Sequence, residues 1–550
     1  MKNRLKVFNT EGDMTIKSPQ EDTHIKGSQV TGENVTLEAK KNIAISAAEN
    51  SNTTKENTRS SGASIGASLG VGGLQGVSAS YGKASDHVKE NETAYEKSRV
   101  TANKDLIFSS VKNTTITGSE MAGGKVTGYV GGNLSIKTKQ DEKTYEEKNS
   151  STGLSVNYSM KNGKTSVSGG ISKDNIHSNY ESATDQAGIR AGGEGFDISV
   201  KDNADLKGGV IDSAASKDKN TLTTGTLRWE DKGNKADYKA GGIGVSYSPN
   251  NKSSKLNQRG LTPNLTPTVK DKTDSTTKSA VAEGTIHITN KEKQKQDIAS
   301  LNRDTKNSLN QLQEIFDKTK VEERQELVGM LEKYGNQAIH KYAESKGWKD
   351  GSTEKILLHG AFGALMGDMA GGSVPATALA GGATEYVMGY LTKEKGEDWV
   401  QKHPDTVQWI AAGVGTGLDS ITDGASFGAD IAVNSAKWNL EFSEPIHEMS
   451  DKIWETLSEE DKEKLQKSIE SNSVTYGISI LAKYTIRYYP QMVKEYPEIF
   501  EGVKDLGKLK SAYSIAGFIW FYCEKRYENR PDSIGYDTWL EHEIIGGQKD

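Results

Sequence analysis

The residues best suited to chemistry sit near the end of the sequence, at Asp537-Thr538-Trp539-Leu540-Glu541-His542-Glu543. A histidine that titrates near neutrality between two carboxylates could act as a general acid–base, or as part of a metal-dependent nuclease. A metal site needs more ligands, and His447 lies far upstream. An exposed polar tail has the same composition. No phosphate loop, nucleophile elbow or His-Glu-x-x-His accompanies the cluster. The single cysteine, Cys523, excludes an internal disulfide framework and a cysteine-based zinc site. The sequence therefore assigns no catalytic residue, no metal site and no cofactor.

The elements that would carry this cluster read as helices. Ser450 to Ile469 is amphipathic, and Ser458-Glu459-Glu460-Asp461 opens a second helix with acids suited to its dipole. Val474 to Tyr489 and Met492 to Ile499 come next, punctuated by Pro490 and Pro497. Ser511 to Cys523 is an apolar run with Phe518, Trp520 and Phe521, too short to span a bilayer and better suited to a core helix.

Upstream, Leu357 to Met369 contains Gly360, Gly363 and Gly367 and runs on to Gly371, the last three spaced four apart. Ala376 to Met388 repeats the small-residue theme, as does Trp409 to Leu418 with Gly413 and Gly417. Glycine inside a helix costs about 1 kcal/mol relative to alanine, so these predict close backbone approach between helices. Such a region is either a tightly packed hairpin in water or a segment able to enter a bilayer transiently, and Asp368, Glu385 and Asp419 favour the first. Further upstream, Leu327, Val328, Leu331, Tyr334, Ala338, Ile339 and Tyr342 form one apolar stripe within 294–345, read as a helical hairpin closed by Gly347-Trp348-Lys349-Asp350-Gly351.

The first half is organised differently. Ile25-Lys26-Gly27-Ser28 recurs as Ile116-Thr117-Gly118-Ser119, and Asn42-Ile43-Ala44-Ile45 as Asn133-Leu134-Ser135-Ile136, at one common offset. A third, weaker copy lies at Leu206-Lys207-Gly208-Gly209-Val210. Short alternating runs (Val35/Leu37/Ala39, Ile43/Ile45/Ala47) broken by Gly, Asn and Lys-Asn suit the coils of a parallel β-helix. No proline lies between Pro19 and Pro249, as ladder strands require. Leu154 to Met160, Asn162-Gly163 and Thr165 to Ile171 read as an antiparallel hairpin, and Ile65 to Val71 with Gly72-Gly73 as its counterpart. The charged stretches Lys83 to Arg99 and Lys139 to Lys148 are expected as solvated edges.

Composition then shifts: Trp229 is the one tryptophan in the first 300 residues, and seven more occur from Trp348 onward. Pro249 to Lys278 has the composition of a linker. The expected layout is multidomain: an N-terminal β-solenoid, a parallel β-helix with inserted antiparallel hairpins, over 1–250; a linker over 251–283; a junction strand and helical hairpin over 284–350; a Gly/Ala-rich helical region over 351–439; and a helical C-terminal effector candidate over 440–550. The part after the solenoid is expected to be mainly α-helical. A net charge of −6 with mixed signs gives no basic field of the size nucleic acid needs, so no nucleic acid is predicted for the solenoid. Met1 to Asp22 has no apolar signal core, and the solenoid starts without an evident cap; the expectation is the C-terminal part of something longer, whose export needs a region preceding this one.

One junction makes a family resemblance specific. Gly284-Thr285-Ile286-His287-Ile288 precedes Lys293-Gln294-Lys295-Gln296-Asp297-Ile298-Ala299-Ser300-Leu301-Asn302-Arg303-Asp304-Thr305, then Ile315-Phe316-Asp317-Lys318 and Gly335-Asn336-Gln337-Ala338. Together with the repeats, over about residues 20 to 440, this order resembles the filamentous haemagglutinin family. More narrowly it resembles the toxin-delivery exoproteins of contact-dependent growth inhibition, which use two-partner secretion. The resemblance implies a right-handed parallel β-helix in a cell-surface filament, then a pre-toxin region and a variable effector. It implies an outer-membrane transporter, a target-cell receptor and membrane, and a cognate immunity protein as partners, with the effector acting inside the target cell. The family's Val-Glu-Asn-Asn-like junction motif is replaced here by Ala432-Val433-Asn434-Ser435-Ala436-Lys437-Trp438-Asn439. The alternative expectation is a structural adhesin, or a remnant without toxin activity.

Overall fold

The computed structural model describes residues 6–70, 73–249, 255–422 and 427–439. The tail readings, including His542 and the run Ser511 to Cys523, lie outside the described residues.

Short alternating strands bounded by corner residues wind into parallel coils. β1 (Lys6–Asn9), β2 (Met14–Ser18) and β3 (Thr23–Lys26) make the first. β4 (Ser28–Gly32), β5 (Val35–Ala39) and β6 (Ile43–Ser46) stack on it in parallel. The chain then leaves the solenoid as a long hairpin, β7 (Ala48–Gly70) and β8 (Gly73–Glu96). It returns for two more coils: β9 (Arg99–Ala102), β10 (Asp105–Ser110) and β11 (Thr114–Thr117), then β12 (Glu120–Val130) and β13 (Leu134–Lys137). A second hairpin comes next, β14 (Asp141–Ser159) and β15 (Lys164–Ser182). β16 (Gly188–Lys207) supplies all sides of the next coil, and β17 (Val210–Ser213) with β18 (Thr221–Glu230) the one after. The third hairpin is β19 (Lys232–Ser248) and β20 (Gly260–Thr277), and β21 (Ala280–Val281) with β22 (Thr285–Ile288) ends the solenoid strands.

The parallel register explains the sequence pattern. Ile25, Ile45, Ile116, Ile136 and Leu206 are successive partners in one inward column. Val30, Val100, Met121, Ile189, Ile211 and Val281 form another. All are buried, each contributing about 1.5–3 kcal/mol of apolar burial. The recurring Ile-x-Gly is a corner: Gly27, Gly118 and Gly208 hold φ of 53°, 57° and 58°, which a side chain would strain. Asparagines climb the neighbouring corner as a ladder. The Asn42 side-chain oxygen accepts from the Asn113 N–H at 3.1 Å, Asn113 from Asn133 at 2.8 Å, and Asn133 from Asn203 at 3.2 Å.

The three hairpins join into one antiparallel sheet in the order β20-β19-β15-β14-β8-β7. The segments expected as charged solvated edges are instead strand interiors, β8 and β14 among them. Alternation lets Glu142, Thr144 and Glu146 lie on one face while Tyr145 and Glu147 are buried on the other. The Asn162-Gly163 hairpin is present, with Ser159 opposite Lys164 and Gly163 at φ 65°. Its loop is four residues, and the Asn162 side chain accepts from the Lys164 N–H at 3.1 Å. Nearer the loops, one face becomes apolar. Ile65, Ala79, Val156 and Val167 are partners across four strands, and Tyr81, Leu154 and Gly169 are partners across three beside them.

Three expectations are corrected. The proline-containing stretch taken as a linker is largely strand β20: Pro263 and Pro267 are tolerated because β20 is an edge strand. Helices start only at Lys318, and 294–317 is an extended strap with a short 3₁₀ turn rather than half of a helical hairpin. A mainly α-helical part after residue 250 is therefore an overstatement, since a full edge strand and the strap precede the first helix. The helices are α1 (Lys318–Ser345), α2 (Thr353–Ala370), α3 (Val374–Lys395), α4 (Glu397–Lys402), α5 (Pro404–Thr422) and α6 (Phe427–Asn439). They pack on the β20 side of the sheet, sharing a core with Tyr145, Ile176, Tyr238 and Val269.

Candidate functional site

The handover from solenoid to helices is built residue by residue. Gln294 and Gln296, two positions apart in an extended segment, each use a side-chain amide as a substitute strand. Gln294 accepts from the Leu227 N–H and donates to the Leu227 carbonyl, both at 2.8 Å. Gln296 does the same to Trp229, at 3.0 and 2.9 Å. The Leu227 and Trp229 ladder groups of β18, beyond the reach of β22, are thereby satisfied.

The strap beyond these glutamines is tied to the hairpin bases. Leu301 enters the solenoid core, Ser308 donates to Gln186 at 2.7 Å, and the Leu312 N–H donates to Ser182 at 3.0 Å. Phe316 then packs between Tyr145 and Tyr238, with ring centroids 5.0 and 6.1 Å away. Lys318 lies 2.8 Å from the buried Glu147 carboxylate, which also accepts from the Tyr145 hydroxyl. Burial pushes the Glu147 carboxyl up, but Lys318, Tyr145 and Asn149 together hold it below the usual range. Arg324 on α1 donates to the Met369 carbonyl at 2.6 Å and to the Tyr238 hydroxyl at 2.7 Å, joining sheet, α1 and α2.

Helix side chains also seal the outer edge of β20. Asp430 accepts from the Thr268 N–H at 3.0 Å, Gln325 donates to the Pro267 carbonyl at 2.9 Å, and Trp409 to the Leu261 carbonyl at 2.8 Å.

Within the helical part, the glycines expected to permit close approach mostly do so. A Cβ on Gly363 or Gly367 would collide with Thr377 of α3, and one on Gly381 with the backbone of His359. Gly371 ends α2 at φ 73°. Gly413 differs: a Cβ there meets nothing, and the tight glycine on α5 is Gly415, against Gly428 of α6. Gly417 lies where side chains are not described. Among the described residues no helix is long and apolar enough to cross a membrane.

Between α1, α2 and α3 lies a cluster the sequence reading missed. Lys355 is fully buried and pairs with Asp350, with Glu385 at 3.3 Å and with the His340 ring at 2.9 Å. His359, one turn along α2, stands 3.4 Å from the other Glu385 oxygen, and the Gly351 N–H donates to Glu385 at 2.9 Å. Burial raises the Glu385 carboxyl to about 7, with Asp350 adding to the effect and Lys355 opposing it. Burial also holds His359 well below its ordinary value, helped by Lys355 and His340. The signal was present: a lysine and a histidine one turn apart around the apolar run Ile356-Leu357-Leu358, and Glu385 just after the Ala/Gly-rich run of α3. Lys355, His359 and Glu385 are buried, while Asp350 and His340 reach the surface in part. None of its residues lines the groove of about 450 Å³ over Gly153 and Gly169, or the one of about 500 Å³ beside Tyr238 and Lys270. Its chemistry is that of an internal fastening rather than of a site open to substrate. Among the described residues, no group of three or more His, Cys, Asp or Glu is placed to hold a metal ion.

Comparison with known proteins agrees with this architecture. The Hemagglutinin repeat family matches residues 6–152. The chain is similar to Toxin CdiA of Escherichia coli, 31% identical over 468 residues that cover 76% of this chain and 14% of the relative. It is 34% identical to the tRNA nuclease CdiA of Yersinia mollaretii over 307 residues, 55% of this chain and 10% of the relative. It is also 34% identical to the Deoxyribonuclease CdiA of Dickeya dadantii over 345 residues, 60% of this chain and 10% of the relative. The chain thus spans about a tenth to a seventh of the length of these relatives. Parallel coils with an Ile-x-Gly corner, the glutamine-closed junction and these matches place the chain among the filamentous haemagglutinin-like exoproteins of contact-dependent growth inhibition.

Proposed function

We propose that this chain is the stalk and delivery region of a contact-dependent toxin, presenting residues 440–550 to neighbouring bacteria as the effector. The observation that carries the reading is the order of parts: a closed solenoid, a latched junction, a tightly packed Gly/Ala-rich helical region, and then a further segment after Asn439. Relatives named as toxins and nucleases support it. On this reading the protein is displayed at the cell surface after two-partner secretion through an outer-membrane transporter. It engages a receptor and membrane on the target cell, and an immunity protein protects its siblings.

Expression of residues 440–550 in a bacterial cytoplasm tests the reading. Growth arrest relieved by the product of a small adjacent gene is the expected outcome; no toxicity favours the structural adhesin. Two effector mechanisms then make opposite demands. A nuclease should lose toxicity on His542→Ala while staying folded. A membrane-active effector should tolerate that change and instead fail on Gly517→Asp or Trp520→Lys. We favour the second, because the apolar run Ser511 to Cys523 is a stronger feature than one histidine. Nucleic-acid degradation with an intact membrane potential overturns that preference.

A further inference from the structure

The charges of the hairpin sheet sort by face. Across the middle of the strands, one face carries the row Lys55, Lys89, Glu146, His177, Lys239 and Lys270, each residue opposite the next. Residues two apart along a strand share a face, so three more rows follow on the same side. They hold His87 and Lys148, then Arg59 and Lys173, then Lys83. Beyond them begins the apolar field of Tyr81, Leu154 and Val156. The intervening rows, on the opposite face, hold Glu56 and Glu147, then Asp86 and Asp174, and no lysine or arginine. One sheet therefore has a basic side and an acidic side.

The helices pack on the acidic side, where Tyr145, Ile176 and Tyr238 enter their core. On the other side Lys55, Arg59, Lys83, Lys89, Lys148 and Lys173 are exposed, and none of the six forms an ion pair among the described residues. Lys55 stands directly opposite Lys89, a pairing that destabilises a sheet left to itself. A groove of about 160 Å³ runs between Lys55, His87, Lys89 and Lys148. A hairpin added beside β7 would widen this face rather than cover it.

The complementary charge lies in the same chain. Glu448, Asp451, Glu455, Glu459, Glu460, Asp461 and Glu463 fall within sixteen residues whose basic groups are Lys452 and Lys462. That segment has a net charge of −5, and the six exposed basic residues with Glu146 give the belt +5. The tether starts beside the sheet. α6 ends at Asn439 and is fixed to β20 by Asp430, and Lys270, at the end of the basic row, lies 4.9 Å from the ring of Phe427. Residues 440–447 can extend over about 26 Å, and a sheet layer is about 10 Å deep, so the chain can pass the β20 edge onto the basic face.

We infer that the basic face of the hairpin sheet is the docking surface for the acidic segment 448–463, which is thereby held against the hairpins. The contact does not depend on whether residues 440–550 are toxic.

Zero-length carbodiimide cross-linking of the full chain, read by mass spectrometry, is the test. Amide links from the belt lysines to the acids of 448–463 are expected, and links from the solenoid residues Lys112 and Lys125 are not. Salt at about 1 M, where screening acts beyond about 3 Å, should suppress them. Lys89→Glu, Lys148→Glu and Lys173→Glu together should lower the yield from the remaining Lys55 and Lys83 at least about tenfold. All three positions are exposed, so the circular dichroism of that variant should match the parent. Adding Glu455→Lys, Glu459→Lys and Glu460→Lys should restore linking, now between the reversed positions, which a general disturbance of the sheet could not do. Docking is overturned by the absence of these links in the parent, by equal linking at Lys112, or by a charge swap that restores nothing. Links that join light and heavy chains as often as one chain, in an isotopic mixture, overturn it in favour of a second copy. Capture of inorganic polyphosphate or anionic vesicles by a belt to which the segment does not link overturns it in favour of an external polyanion.

Discussion

A lysine with no exposed surface persists only while its partners hold it, and Lys355 is tied to three side chains from α1, the loop before α2, and α3. Removing one partner from such a group typically costs about 3–5 kcal/mol. The titrations around it oppose one another. Glu385 titrates at about 7 in the fold against an ordinary value of 4.5. Its contribution is therefore full below the unfolded value and is lost as pH rises through 7. His359 is depressed from 6.5, so its contribution is full above that value and is lost progressively as pH falls below it toward the depressed folded value. Between roughly pH 4.5 and 6.5 the slopes cancel in part. Hydrogen-exchange protection of residues 353–395 should change little across that window in the parent. It should rise on acidification from pH 7.5 to 5.5 in His359→Gln, and fall in Glu385→Gln. The glycines around this cluster were legible because a helix tolerates them only for a reason. The cluster was not, because residues on three separate elements form it and no single window of sequence contains them.

At the scale of elements, what the sequence made plain was whatever repeats within one strand. The inward columns and the Ile-x-Gly corner could be read directly, since alternation and a positive φ leave local marks. The coil itself was hidden: Ile25 to Ile45 and Ile116 to Ile136 are one coil apart, while Ile45 to Ile116 is also one coil apart but with a hairpin between. The long offset was visible and the short one was not. β20 was misread for a related reason, because prolines signal a linker until one knows that the strand lies at an edge. Gln294 and Gln296 stood out as a motif, but their task depends on Leu227 and Trp229, far away in sequence. Replacing both with leucine removes four hydrogen bonds to the last coil. At about 0.5–1.5 kcal/mol each, or about 2–6 kcal/mol together, amide exchange in residues 221–230 should accelerate by roughly thirty-fold to ten-thousand-fold while residues 99–130 stay protected. Unchanged exchange at Leu227 and Trp229 would show that water replaces the glutamines at no cost.

For the molecule as a whole, the solenoid and the hairpin sheet are two different lattices grown from one chain. Neighbouring strands in either lie about 4.8 Å apart, so two coils lengthen the solenoid by roughly 9.6 Å, and one hairpin widens its sheet by the same amount. A hairpin leaves after β6, after β13 and after β18, every second coil. The two lattices therefore advance in step, which is why hairpins separated by complete coils can still lie edge to edge. Removing residues 99–187, one whole unit, should leave a protease-resistant protein with a single cooperative melt, because β8 then meets β19. Removing only 99–119, one coil, shortens the axis by half a hairpin's width and should expose the hairpins to proteolysis. Molecules built this way are quantised in length: they can be extended or shortened only by pairs of coils, each carrying its own hairpin.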